Sequence, residues 1–130
     1  MPTTFDDLTI GDSYSTRLHV TDDDLARFAA LTNQPIAREQ GSITHALLLG
    51  YISKILGHDF PGHGTVAVAM NTDFLHAPDV DVEIRFRVEI TNKDADRGQV
   101  RGQVTASVDD RDLLRGNALL IPPEPERDVV

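Results

Sequence analysis

The stretch THALLLGYISKILG, residues 44–57, constrains the fold more than any other part of this chain. Leu47, Leu48, Leu49, Tyr51, Ile52, Ile55 and Leu56 leave only Ser53 and Lys54 as plainly polar interior positions, so no single wet face can be drawn along it. A helix that is apolar all round is a buried helix. At about 1.5 Å per residue it spans roughly 20 Å, and Gly50, Ser53 and Lys54 interrupt the apolar run, which makes it too short and too mixed to cross a bilayer. Ser42 or Thr44 is expected to cap its first turn and Gly57 to supply a left-handed stop. His45 lies in the opening turn, where unpaired backbone N–H groups point outward, so chemistry is expected at that end.

A chain of 130 residues is one domain by length and large enough for a real core. The domain is expected over residues 1–121, with PPEPERDVV (122–130) a disordered tail that has nothing to bury. The absence of Cys removes both a disulfide framework and a thiolate metal site. MPTTFDDL offers neither a basic start nor an apolar run, so no leader and a cytoplasmic location are expected. The formal charge of −9, with Asp22, Asp23 and Asp24 in a row and no Lys/Arg cluster, argues against nucleic acid and against an anionic membrane as partners.

Taken in order, Gly11 and Asp12 make a turn, after which Tyr14, Thr16, Leu18 and Val20 alternate as an edge strand. Thr21 caps a helix whose first-turn aspartates complement the positive end of its dipole and whose apolar side carries Leu25, Phe28, Ala29 and Leu31. Residues 32–44, broken by Pro35 and Gly41, form an irregular connection into the buried helix. Beyond the turn HDFPGHGT, Val66, Val68 and Met70 alternate with small residues. Residues 80–90 then alternate Val80, Val82, Ile84, Phe86, Val88 and Ile90 with charges, the clearest strand signal in the chain. KDADRG reads as a hairpin loop, Val100, Val104, Ala106 and Val108 as the next strand, and Leu114, Gly116, Ala118 and Leu120 as the last. The class is α+β, helices first and then three or four consecutive antiparallel strands, as a curved sheet wrapped round one apolar helix.

Three pieces, FDDLTIGDSYSTRLHVTDDDLARFAALT, THALLLGYISKILGHDFPGHGT and the DFLHAP that opens the long strand, together resemble the MaoC-like (R)-specific enoyl-thioester hydratases of the hot-dog fold. The resemblance covers nearly the whole chain. It implies a hot-dog domain, dimers built by pairing two sheets, and an acyl thioester of coenzyme A or acyl carrier protein as ligand; separately, no metal and no cofactor are expected. It also implies a catalytic Asp and His after the first helix, and there this sequence departs. Phe28-Ala29-Ala30-Leu31-Thr32 and Pro35 match, but Asn33 and Gln34 stand where the Asp is expected and Ala37 where the His is expected. An amide or a methyl has no proton to exchange near neutral pH, so the ordinary general acid and base are missing. The connection 38–44 is short. Thr44-His45-Ala46 keeps the His of the family's Ala-His-Gly but puts Ala46 in place of the glycine whose N–H would bind the thioester carbonyl.

The candidate catalytic residues are therefore His45, Asn33 and Gln34, with Ala46, Ser53 and Arg38 as candidate substrate contacts, Ser53 expected to face inward. Each has a plainer reading. His45 can order the turn by bonding backbone, TNQP is ordinary turn chemistry, and Ser53 can bond back to its own helix. His58, Asp59 and His63 fit no zinc spacing. HDFPG resembles the His-Phe-Pro-Gly of another hot-dog dehydratase family, but with Asp59 inserted and on the wrong side of the helix. Arg38, Lys54, Arg85, Arg87 and Lys93 are the cations available to a pantetheine phosphate or carrier-protein surface. The domain is expected as a homodimer or as half of a heterodimer, and the functions that follow are a lyase or isomerase of acyl thioesters, or of a specialised metabolite, with a rebuilt site; a non-catalytic subunit that shapes the acyl tunnel of a heterodimeric hydratase; and, third, an acyl-ligand binding module acting alone.

Overall fold

The computed structural model describes residues 3–33, 42–77 and 81–125, with side chains of the second helix from His45 onward. Alternating apolar residues become five antiparallel strands: β1 (Ser13–Val20), β2 (Val66–Phe74), β3 (Val82–Asp94), β4 (Gln99–Val108) and β5 (Arg111–Ile121). They form one sheet in the order β1-β3-β4-β5-β2. Every neighbouring pair is antiparallel. β1 is an edge strand as the sequence suggests, but β2 is not the neighbour of β3. It crosses to the far side and pairs with β5, while β3 pairs with β1. DFLHAP accordingly closes β2 and does not open the next strand. A β-carbon at Gly116 would overlap the backbone carbonyl of Asn71, so the close approach of β2 to β5 requires glycine at that position.

Period two puts one face of the sheet into the core. Ile84, Phe86, Val88 and Ile90 of β3, Val100, Val104 and Ala106 of β4, and Ala118 and Leu120 of β5 are all buried. Between β4 and β5 the register shifts at Ala106/Ser107, with Ala106 opposite Leu114 and Ser107 opposite Asp112. That bulge takes Leu113 out of the ladder, and both Leu113 and Leu114 are buried.

Across this face lie α1 (Asp22–Thr32) and α2 (Ser42–Lys54), the latter prolonged by a π-helical turn over Ile55–Asp59. The start of α1 follows from its sequence: the Thr21 hydroxyl accepts from the Asp24 amide at 3.2 Å and the Asp24 carboxylate from the Thr21 amide at 2.9 Å, a reciprocal capping box. α2 is less uniformly buried than its composition suggests. Leu48, Ile52, Ile55 and Leu56 are fully buried. Leu47, Leu49 and Tyr51 are half-buried, and Gly50, Ser53 and Lys54 face outward. The sheet covers one stripe of α2 and α1 flanks another, which leaves a third open. Gly57 is not a left-handed stop either; the helix passes through it and ends where the Phe60 amide donates to the Ile55 carbonyl at 2.8 Å. Among the described residues, no helix is long and apolar enough to cross a membrane.

Both ends of the domain are tied down. The Lys93 ammonium donates to the Leu8 carbonyl at 2.6 Å and lies 4.3 Å from the ring centre of Phe5. At the other end Pro122 and Pro123 are buried, Pro123 against Gly64, so the ordered chain passes the expected limit at 121. Residues 126–130 of the expected tail lie outside the described residues.

Two stability predictions follow from these contacts. Ile52→Asp places an unpaired carboxylate at a site with 1% exposure and should cost several kcal/mol and abolish soluble folding; wild-type circular dichroism and melting temperature would contradict the packing described. Thr21→Ala should cost about 1 kcal/mol near neutral pH. The capping bonds hold the Asp24 carboxyl below its ordinary 3.8. Their contribution is therefore present above the unfolded pKa and is lost as pH falls through the lower folded value. Urea unfolding should show both proteins losing stability as pH falls through the folded value, because the backbone amide at position 21 still donates to Asp24 in the variant, and the variant should lack only the share of that loss due to the Thr21 hydroxyl.

Candidate functional site

His45 is placed by the opening turn of α2 and fixed from outside it. Its Nε2 lies 2.9 Å from the His76 carbonyl, and its ring stacks on Phe74 with centroids 4.5 Å apart and planes 24° from parallel. His76 is anchored in turn: its Nδ1 lies 3.0 Å from the Asp112 carbonyl. A carbonyl can only accept, so the neutral His45 ring carries its proton on Nε2 and presents the Nδ1 lone pair. The contact is at once the ordering role open to a turn histidine and an arrangement that leaves one basic nitrogen free.

Asn33 is exposed and terminates α1 in the left-handed region at φ 54, its amide donating to the Ala29 and Ala30 carbonyls. Asparagine tolerates that conformation better than most residues, which gives Asn33 a capping task independent of any chemistry. Gln34 and Arg38 lie outside the described residues, as does Ala37. Ala46 is half-buried, the fifth residue of a helix that begins at Ser42. The amides without an intrahelical acceptor are those that precede residue 45, and the Ala46 amide falls within reach of the Ser42 carbonyl. Ser53 does not face inward: turning Leu48, Ile52 and Ile55 toward the sheet carries it to the exposed side.

The cations are largely committed. Lys54 bonds both oxygens of Asp59, at 3.1 and 2.9 Å, and those bonds raise its pKa above the ordinary value. Arg87 pairs with Glu89 at 2.8 Å, and Lys93 holds the N-terminal segment. Arg85 faces Arg17 across the β1–β3 ladder, and Arg17 pairs with Glu83 at 3.0 Å. Of the residues considered for a metal, Asp59 serves Lys54 and the two histidines are exposed. Sequence reasoning missed Phe74 and His76. Their signal was in DFLHAP, an aromatic two residues before a histidine, but assigning that motif to the next strand hid its proximity to His45.

The sheet wrapped over α2 is a hot-dog fold, shared with (R)-specific hydratases and MaoC-like dehydratases. Particular relatives sharpen that class. The chain is 28% identical over 134 residues to the 3-hydroxybutyryl-CoA dehydratase of Methylorubrum extorquens, an alignment spanning 94% of this chain and 85% of that protein. It superposes on the (R)-hydratase PhaJ1 of Pseudomonas aeruginosa with a TM-score of 0.81 at 18% identity, over 99% of this chain and 94% of the other. On a chain of the ChsH1–ChsH2 complex from Mycobacterium tuberculosis the TM-score is 0.72 at 12% identity, over 86% and 96%. No family model matches the chain.

Proposed function

We propose that this protein is an acyl-thioester lyase or isomerase related to the MaoC-like hydratases and dehydratases, acting on a coenzyme A or acyl carrier protein thioester through a rebuilt site, in the cytoplasm. The observation that carries the reading is the alignment over 94% of the chain with a dehydratase of a CoA thioester. His45 is its acid/base group, working through Nδ1 because Nε2 is engaged by His76. Asn33 and Gln34 hold a water or carbonyl through their amides. Amides at the start of α2 supply oxyanion donors. Arg38 and the surroundings of Ala46 serve as substrate contacts, and Ser53, being exposed, is dropped from that set.

The second reading, a non-catalytic subunit paired with a complete MaoC-like chain, is favoured by one feature. Val66, Val68, Met70 and Phe74 of the edge strand β2 are between 37% and 55% exposed, and Asp73 is the only charge in β2. An apolar edge with so little charge is suited to pairing with a second sheet. A structural neighbour is a two-protein complex. Either a second copy or a related chain fits that edge.

The test is loss of enoyl absorbance from crotonyl-CoA with the purified protein, alone and mixed with any co-encoded homologue. Positioned proton transfer is typically worth about a hundred- to ten-thousand-fold, and Asn33, Gln34 and Ala37 replace both ordinary groups, so the isolated protein should not hydrate crotonyl-CoA appreciably. Robust turnover by the protein alone would eliminate the subunit reading. On its own substrate, His45→Ala should abolish turnover with the melting temperature within a few degrees of wild type. Retained turnover would return His45 to holding the turn. Placing Asp at Gln34 and His at Ala37 should not restore full activity, because the sequence between Arg38 and Thr44 is shorter than the family's and a misplacement of about 1 Å can cost about a hundredfold.

A further inference from the structure

Beyond the end of β2 the chain is held by the bulge in β5. The Leu75 and His76 amides both donate to the Leu113 carbonyl, at 2.8 and 3.2 Å, and the His76 ring reaches the Asp112 carbonyl through Nδ1 at 3.0 Å. Leu113 stands out of the β4–β5 ladder, while Phe74 is still paired with Leu114. Leu113 and Leu114 are buried, so this part of β5 is a firm mount.

His76 itself is exposed, and water could satisfy its ring. Its bond to Asp112 therefore does not serve to compensate burial. What the bond adds is direction. Among the described residues His76 is the last in this segment whose amide makes a backbone hydrogen bond, and the carbonyl that meets His45 lies past that point. The ring tether restricts rotation at the Cα that carries this carbonyl. Arg115 takes the Asp112 carboxylate at 3.1 Å, which leaves the main-chain oxygen to His76. Because a carbonyl only accepts, Nδ1 of His76 carries its proton whether the ring is neutral or charged. The tether thus outlasts protonation of His76.

We infer that His76 is a positioning residue: its ring tether to Asp112 aims its own carbonyl at Nε2 of His45, so that His45 exchanges protons only through Nδ1. The inference rests on the acid/base reading of His45 and adds the residue that sets which nitrogen takes part. The test compares the full chain with its variants His76→Ala, His76→Asn and His76→Gln. An asparagine amide N–H takes the place of an imidazole Nδ1–H, whereas glutamine carries its amide one bond farther out. Two readouts are used: the nitrogen NMR signals of the His45 ring, and its acylation by diethyl pyrocarbonate near neutral pH relative to the exposed His63. In the wild type the neutral His45 ring should show Nε2 as the protonated nitrogen. His76→Ala and His76→Gln should release that nitrogen and raise the relative acylation of His45 severalfold, up to about tenfold, as expected for loss of one ordinary hydrogen bond. His76→Asn should return both readouts to the wild-type pattern. A general loosening of the fold would not separate asparagine from glutamine. Should His76→Ala fail to fold, the Asn and Gln variants decide the matter. His45 signals and acylation unchanged in His76→Gln, or alike in His76→Asn and His76→Gln, overturn the positioning role. Neither readout needs a substrate, so that failure leaves the catalytic reading of His45 to His45→Ala, and success stands even if His45→Ala keeps turnover.

Discussion

The contact on which the rest of the structure depends is the stripe Leu48, Ile52, Ile55 and Leu56 laid on the apolar face of β3, β4 and β5. All four side chains are at most 1% exposed, so the orientation of α2 about its own axis is fixed by burial. The placement of every candidate site residue described on the helix follows from that rotation. It sends His45 toward the end of β2, where Phe74 and the His76 carbonyl receive it. It also sends Gly50, Ser53 and Lys54 outward. A helix with weaker preference for one face would leave these roles unassigned.

The same rotation explains why an apolar helix is not a fully enclosed one. Apolar composition reports what a helix can bury, not how many neighbours are present to bury it. In this domain one sheet face and one flanking helix cover two sides of α2. The remaining side is where the half-buried Leu47 and Tyr51 lie, beside the open position at Gly50.

Period-two alternation made β3 readable because its inward residues are all large and its outward ones mostly charged. The capping box at Thr21 and Asp24 was equally legible, since it depends on residues three apart. Strand order was not: nothing local in VAVAMNTDF says that its partner is β5, whose paired residues lie 40 to 55 positions on, rather than β3, and the clue, Gly116, lies in the partner. Of the candidate site, His45 could be singled out from the sequence, but what holds it could not. Its fixing partners come from the other end of β2, and a contact between positions 45 and 76 has no sequence periodicity to betray it. Ser53 was misplaced because the mixture of apolar residues around α2 gave no dominant face from which to count.

The strand order has a consequence for how the chain assembles. Both edge strands are hydrogen-bonded to strands made much later: β1 to β3, and β2 to β5, the last in sequence. Contacts of such long range make folding slow, because loop entropy must be lost before they form. On a ribosome, β2 would emerge as an apolar ribbon with neither edge covered and would stay so until β5 had followed it. The interval before the final strand arrives is thus the time at which this protein most needs protection from its own copies, and its vulnerability is written in connectivity, not in stability.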